Sequence, residues 1–159
     1  MTEKKAYFAA GCFWGVEDRF RKTPGVLDAI SGYMGGHTEN PGYRDVCAGT
    51  TGHAETVEVQ FDAERITFGE LLDLFFDMHN PTTRNRQGPD VGSQYRSAVF
   101  AVDDEQERAA NERIAELDRS GRWPNPIVTE VNRGGRFWPA EEYHQRYFEK
   151  NGAGFCHVK

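Results

Sequence analysis

The chain has 159 residues and a formal net charge of −6, a length that suits one domain with a real hydrophobic core. Its 19 lysines and arginines are scattered rather than gathered in a stripe, which argues against a nucleic-acid partner. The N-terminal Met1-Thr2-Glu3-Lys4-Lys5 enters the first strand without an apolar leader, and no apolar run reaches membrane-spanning length. A soluble cytoplasmic protein with no membrane partner is expected.

Tyr7, Phe8, Ala9 and Ala10 read as a short buried strand. Val16 and Phe20, with polar residues between them, give helical spacing to about Lys22. Thr23-Pro24-Gly25 is a turn, and 26–33 reads as a second strand. The stretch 35–52 is dense in Gly, Asn, Pro and Thr and longer than most connections, so it is expected to be a functional loop.

In 53–61 the residues Val57, Val59 and Phe61 alternate onto one face, and Glu55 shares their parity. Its carboxyl is therefore expected on the apolar side, where desolvation raises its pKa, while Glu58 is expected in solvent. Thr67 to Glu70 has the form of a capping box ahead of a buried helix containing Leu71, Leu72, Phe75, Phe76 and Met78. A polar loop over 84–95, a strand over 97–102 and a charged helix opened by Asp104 and ended by Gly121 follow. The pattern then predicts a strand over 127–131, a helix over 141–150 and a glycine-containing tail.

The order strand, helix, strand, strand, helix, strand predicts an α+β fold, a two-layer ferredoxin-like (split βαβ) sandwich with a mixed, largely antiparallel sheet. The whole of 1–159 is read as a single domain with a mobile C-terminal tail over about 150–159.

Three cysteines, Cys12, Cys47 and Cys156, are too few and too odd in number for a secreted disulfide framework, and they contain no C-x-x-C pair. Gly11-Cys12-Phe13-Trp14-Gly15 places one thiol at a strand-to-helix junction, where unpaired N–H groups and the helix dipole stabilise a thiolate. A cysteine used only as a small buried hydrophobe does not need flanking glycines and an aromatic pair.

These residues resemble the A-type peptide methionine sulfoxide reductases. The resemblance rests on Gly11-Cys12-Phe13-Trp14-Gly15, on Gly42-Tyr43-Arg44-Asp45-Val46-Cys47 leading to Thr51-Gly52-His53-Ala54-Glu55, on His79-Asn80-Pro81-Thr82, and on Asp90 through Gln94-Tyr95-Arg96-Ser97. It implies reduction of methionine S-sulfoxide, protein-bound and free, and repair of oxidised proteins.

A sulfoxide has an electrophilic sulfur and an oxygen that leaves badly unless protonated, so the reaction needs a thiolate and an acid. Cys12 is expected to supply the first and Glu55 the second, although a strand-end carboxylate also commonly forms a salt bridge. The resemblance implies that the Tyr43 and Tyr95 hydroxyls hold the sulfoxide oxygen and that Asp90 supports the site. By residue type alone, a loop tyrosine is a packing residue and this aspartate a turn residue.

Phe13 and Trp14 are expected to receive the S-methyl group, with at least one of them exposed; the alternative is that both are core. Cys156, in the glycine-containing tail, is implied to resolve the Cys12 sulfenic acid as a disulfide, which thioredoxin then reduces. Cys47 is read as structural, and His53, His79 and His144 as hydrogen-bonding residues rather than metal ligands. No cofactor is implied, and a monomer is expected. The competing readings are another thiol enzyme, such as a peroxidase or cysteine hydrolase, and a noncatalytic binding module.

Overall fold

The computed structural model describes residues 2–152. Eight strands are found there: β1 (Glu3–Ala10), β2 (Val26–Met34), β3 (Ala54–Asp62), β4 (Arg86–Gln87), β5 (Asp90–Val91), β6 (Ser97–Ala101), β7 (Glu130–Arg133) and β8 (Trp138–Pro139). The helices are α1 (Phe13–Arg21), α2 (Tyr43–Cys47), α3 (Phe68–Met78), α4 (Asp104–Ser120) and α5 (Tyr147–Asn151).

Six strands form one sheet in the order β7-β6-β1-β3-β2-β8. Its inner four, β6-β1-β3-β2, pair antiparallel throughout, which is the arrangement that the split βαβ reading requires. β7 adds in parallel to β6 and β8 antiparallel to β2, so the sheet is mixed and largely antiparallel, as expected. β4 and β5 make a separate hairpin within 84–95.

Period two along β1 sends Ala6, Phe8 and Ala10 to one face and Ala9 to the other. The first face joins Val57, Val59 and Phe61 of β3 to Val16 and Phe20 of α1, Leu71, Leu72 and Phe75 of α3, and Ala110 of α4. The capping box opens α3 as expected: the Thr67 hydroxyl accepts from the Glu70 N–H, and the Glu70 carboxylate accepts from the Thr67 N–H.

The second face is also packed, which corrects the reading of Glu58. Ala9, Met34, Ala54, Ala98 and Phe100 are buried there, with Tyr7 and Phe137 against them. Glu58 is buried too, accepting hydrogen bonds from the Tyr7 hydroxyl at 2.9 Å and Gln60 Nε2 at 2.8 Å. β3 lies inside the sheet, flanked on both sides, so its second face has neighbours where alternation predicts solvent.

Two further expectations change. The loop 35–52 contains the short helix α2, whose Val46 is buried. The helix expected over 141–150 breaks into a 3₁₀ turn, Glu142–His144, and α5. Between them the Gln145 side chain accepts from the Ser31 N–H at 2.9 Å and donates to the Ser31 carbonyl at 2.8 Å. Arg146 then turns left-handed at φ 54°, its N–H bound to the buried Glu17 carboxylate at 2.6 Å. The Gln145 side-chain amide thus pairs with β2 as a strand's backbone would, and the extended Gln145 and left-handed Arg146 backbones break the helix.

Candidate active site

Gly11 has φ 94°, a left-handed conformation that lets β1 turn sharply into α1. Cys12 occupies the N-cap of α1 and is half-buried. The first helical N–H, that of Phe13, is bound from the neighbouring strand: it donates to Glu55 Oε1 at 3.2 Å. Thiol and carboxyl therefore share one helix terminus, and parity has put Glu55 on the helix-bearing face of the sheet.

Glu55 is 2 % exposed, and its Oε2 makes no hydrogen bond among the described residues. Burial pushes its pKa up to about 8 despite the opposing Phe13 N–H, and the charge of Asp90 adds to the rise. At neutral pH this carboxyl is a protonated acid.

Tyr43 lies on α2 rather than in an irregular loop, and Tyr95 in a 3₁₀ turn, Ser93–Tyr95. Burial raises both phenols, and both feel the Glu55 charge. Tyr95 also feels Cys47, Asp90 and Cys12, so these groups converge on one site. Cys47, the last residue of α2, faces the same site. It is exposed, takes a hydrogen bond from the Tyr43 side chain, and faces the Glu55 and Glu141 charges.

The aromatic pair divides. Phe13 is buried, with its ring against Tyr33, Tyr43 and His144. Trp14 is half-buried, donates from Nε1 to His144 Nδ1 at 2.9 Å, and stacks on Tyr147 at 3.8 Å. Trp14 is thus the member of the pair that retains exposed surface. Cys156 lies outside the described residues.

Sequence reasoning missed Glu141. Its Oε2 accepts from the Tyr43 N–H at 3.0 Å, and its Oε1 accepts from the Tyr33 hydroxyl at 2.9 Å. Burial alone would raise this carboxyl, but those bonds and its own amide outweigh burial and hold it low. His144 is buried beneath Trp14 and Tyr43, and burial lowers its pKa. His53 anchors the start of the long loop, accepting from the Gly36 N–H at 3.0 Å and bonding the Thr38 carbonyl at 2.8 Å.

A family model described as peptide methionine sulfoxide reductase matches residues 4–159. The chain belongs to the peptide methionine sulfoxide reductase family. It is 57% identical over 155 residues to peptide methionine sulfoxide reductase MsrA of Methanothermobacter thermautotrophicus, covering 98% of this chain and 92% of that one. Among solved structures it is similar to reduced Mxr1 of Saccharomyces cerevisiae, with TM-score 0.89, 39% identity, and coverage of 97% of this chain and 88% of that one. Mxr1 has also been solved in complex with Trx2, and there the TM-score is 0.65 at 30% identity, over 91% of this chain and 84% of that one. For a sulfoxide reductase, a thiol at a helix terminus and a neutral carboxyl bound to that terminus are the two groups the chemistry demands.

Proposed function

We propose that this chain is a peptide-methionine (S)-S-oxide reductase in which Cys12 is the nucleophile and Glu55 the acid. The observation that carries the reading is the Glu55 carboxyl, buried, raised to about 8 and joined through the Phe13 N–H to the helix that begins at Cys12. The matched family and the MsrA relative support the reaction.

Cys12 thiolate attacks the substrate sulfur while Glu55 delivers its proton to the sulfoxide oxygen, which the Tyr43 and Tyr95 hydroxyls hold. The substrate S–O bond breaks and the protonated oxygen passes to the Cys12 sulfur, so methionine leaves reduced by two electrons and Cys12 is left oxidised by two electrons as a sulfenic acid. Trp14, with Phe13 behind it, receives the S-methyl group. Asp90 helps keep Glu55 protonated.

Condensation of the sulfenic acid with the Cys156 thiol forms a disulfide and releases water. A dithiol of the thioredoxin class then reduces that disulfide. The Mxr1 complex with Trx2 supports such a partner.

The test is single turnover of prereduced protein with S- and R-sulfoxide substrates, with methionine and free thiols counted. Methionine from the S epimer with loss of two thiols is expected. No methionine from either epimer would overturn the reading, and loss of one thiol would remove Cys156 from the cycle. Cys12→Ser is expected to abolish methionine formation.

A further inference from the structure

We infer that Gln87 is a positioning residue for this reaction, its side-chain amide holding the β4–β5 hairpin so that Asp90 and Tyr95 face Glu55. The inference rests on the proposed roles of those three residues.

A two-stranded hairpin is marginal by itself, and this one has little to pack. Arg86, Gly88, Pro89 and Val91 are exposed, Asp90 is half-buried, and Gln87 is the buried residue within β4 and β5. The register sets Gln87 directly opposite Asp90. The 3₁₀ turn is built on the same hairpin: the Gly92 N–H donates to the Asn85 carbonyl at 2.9 Å, and the Tyr95 N–H to the Gly92 carbonyl at 3.0 Å. Where the hairpin sits therefore fixes both Asp90 and Tyr95.

Besides the Thr83 hydroxyl, which donates to the Arg86 carbonyl at 2.6 Å, what holds it is a reciprocal pair of hydrogen bonds from the Gln87 side chain to one residue. Gln87 Oε1 accepts from the Asn80 N–H at 3.0 Å, and Gln87 Nε2 donates to the Asn80 carbonyl. The amide thus completes both backbone groups of Asn80, as a paired strand would. Asn80 is itself immobilised. The preceding His79 bonds the Phe75 carbonyl at 2.6 Å through Nδ1 and the Ser97 hydroxyl at 2.7 Å through Nε2, which ties the end of α3 to β6.

The hairpin is thereby referenced to the core rather than to its own strands. A cleft of about 380 Å³, lined by Phe76, Met78, Asn80, Gln87 and Trp123 among others, lies beside this contact and leaves room for the hairpin to shift if the contact opens.

Two substitutions separate positioning from bulk stability. Gln87→Leu removes both bonds and is expected to lower the single-turnover rate about 10- to 100-fold, the loss that an ångström-scale displacement of catalytic groups produces. Gln87→Glu is conditional. When protonated, the introduced carboxylic acid donates to the Asn80 carbonyl and accepts from the Asn80 N–H, as the amide does; when ionised, it repels that carbonyl.

Because position 87 is buried, the introduced carboxyl should ionise well above the ordinary value of about 4.3, so the ratio of Gln87→Glu to wild-type rate, measured from about pH 5 to about pH 9, is expected to start near one and fall. Taking the ratio at each pH removes the pH effects common to both proteins. A flat ratio, or a Gln87→Leu variant at wild-type rate, would overturn the inference. Asp90→Asn and Tyr95→Phe, run in parallel, test the underlying reading: if both turn over at wild-type rate while Gln87→Leu is slow, Gln87 acts by another route and the inference is wrong as stated.

Discussion

Phe13 and Glu55, 42 residues apart, are joined by one hydrogen bond of 3.2 Å from the Phe13 N–H to Glu55 Oε1. An acidic side chain at a helix N-terminus is normally ionised, because N–H groups and the dipole favour the anion. Here burial wins, and the carboxyl is held neutral up to about pH 8. A helix start that would otherwise be capped locally is capped by the Glu55 carboxyl, and the Cys12 side chain makes no capping bond there. Cys12 and Glu55 are consequently positioned by one backbone turn.

The single-turnover rate should show a descending limb centred near pH 8, because the acid is competent while protonated and is lost as pH rises through its folded pKa. Glu55→Gln should slow the step by about 10²- to 10⁴-fold and remove that limb. Stopped-flow rates against pH for both proteins check this, and a limb that persists in the variant would place the acid elsewhere.

The same titration predicts a stability effect that also falls with rising pH. Folded Glu55 titrates near 8 against an ordinary value of 4.5, so between these limits the folded state holds a proton that the unfolded chain has lost. Stability then falls with rising pH, by at most about 1.4 kcal/mol per pH unit from this group. Glu55→Gln should gain stability on wild type as pH rises from about 5 to about 8, and denaturant melts across that range measure the difference.

Local pattern made much of this legible. Period two put Glu55 on the helix-bearing face, and the strand-to-helix junction put Cys12 at the N-cap. The residues that hold the site together were not legible, because their partners are remote in sequence. Glu141 reaches Tyr43 across 98 residues, Gln145 reaches Ser31 across 114, and Glu17 reaches Arg146 across 129. Gln87 is nearer to Asn80, seven residues away, but a glutamine amide standing in for a strand leaves no periodic trace. Glu58 failed for the converse reason: alternation identifies a face and not what covers it.

Glu17 and Arg146 offer a test of one such long-range contact. Arg146 holds φ 54°, which costs an L-residue about 1 kcal/mol, and the bond from its N–H to Glu17 stabilises that turn. Glu17→Ala should destabilise the protein by about 1–2 kcal/mol, since it takes the buried acceptor from the Arg146 N–H and also removes an acceptor from Arg21. Arg146→Gly keeps the N–H, relieves the strain and should be nearly neutral. Thermal melts that rank the two variants in the reverse order would reject this account.

Gly32 should tolerate no side chain. A Cβ there would lie 2.4 Å from Phe137 Cζ and 2.5 Å from the Trp138 carbonyl, so Gly32→Ala must push β8 from the edge of β2. Loss of about 1–3 kcal/mol is expected from overpacking. β8 leads directly into Glu141, which binds the Tyr43 N–H, so catalytic rate should fall as well. An alanine variant with wild-type stability and rate would mean that β8 is free to move.

Trp14 and His144 should show measurable coupling. The indole N–H donates to Nδ1 at 2.9 Å, which leaves the ring proton of neutral His144 on Nε2. Trp14→Phe keeps an aromatic ring over Tyr147 but strands a buried acceptor, and His144→Phe strands the indole donor. In a double-mutant cycle the two losses should be less than additive by about 1 kcal/mol. Protonation of His144 at Nδ1 would break the bond, and its pKa is already lowered by burial. Its contribution to stability is therefore present above the ordinary histidine range near 6.5 and is lost as pH falls below it, a slope that should flatten in both single variants. Additive losses with unchanged pH slopes would show that the indole is held by its stack on Tyr147 and not by the imidazole.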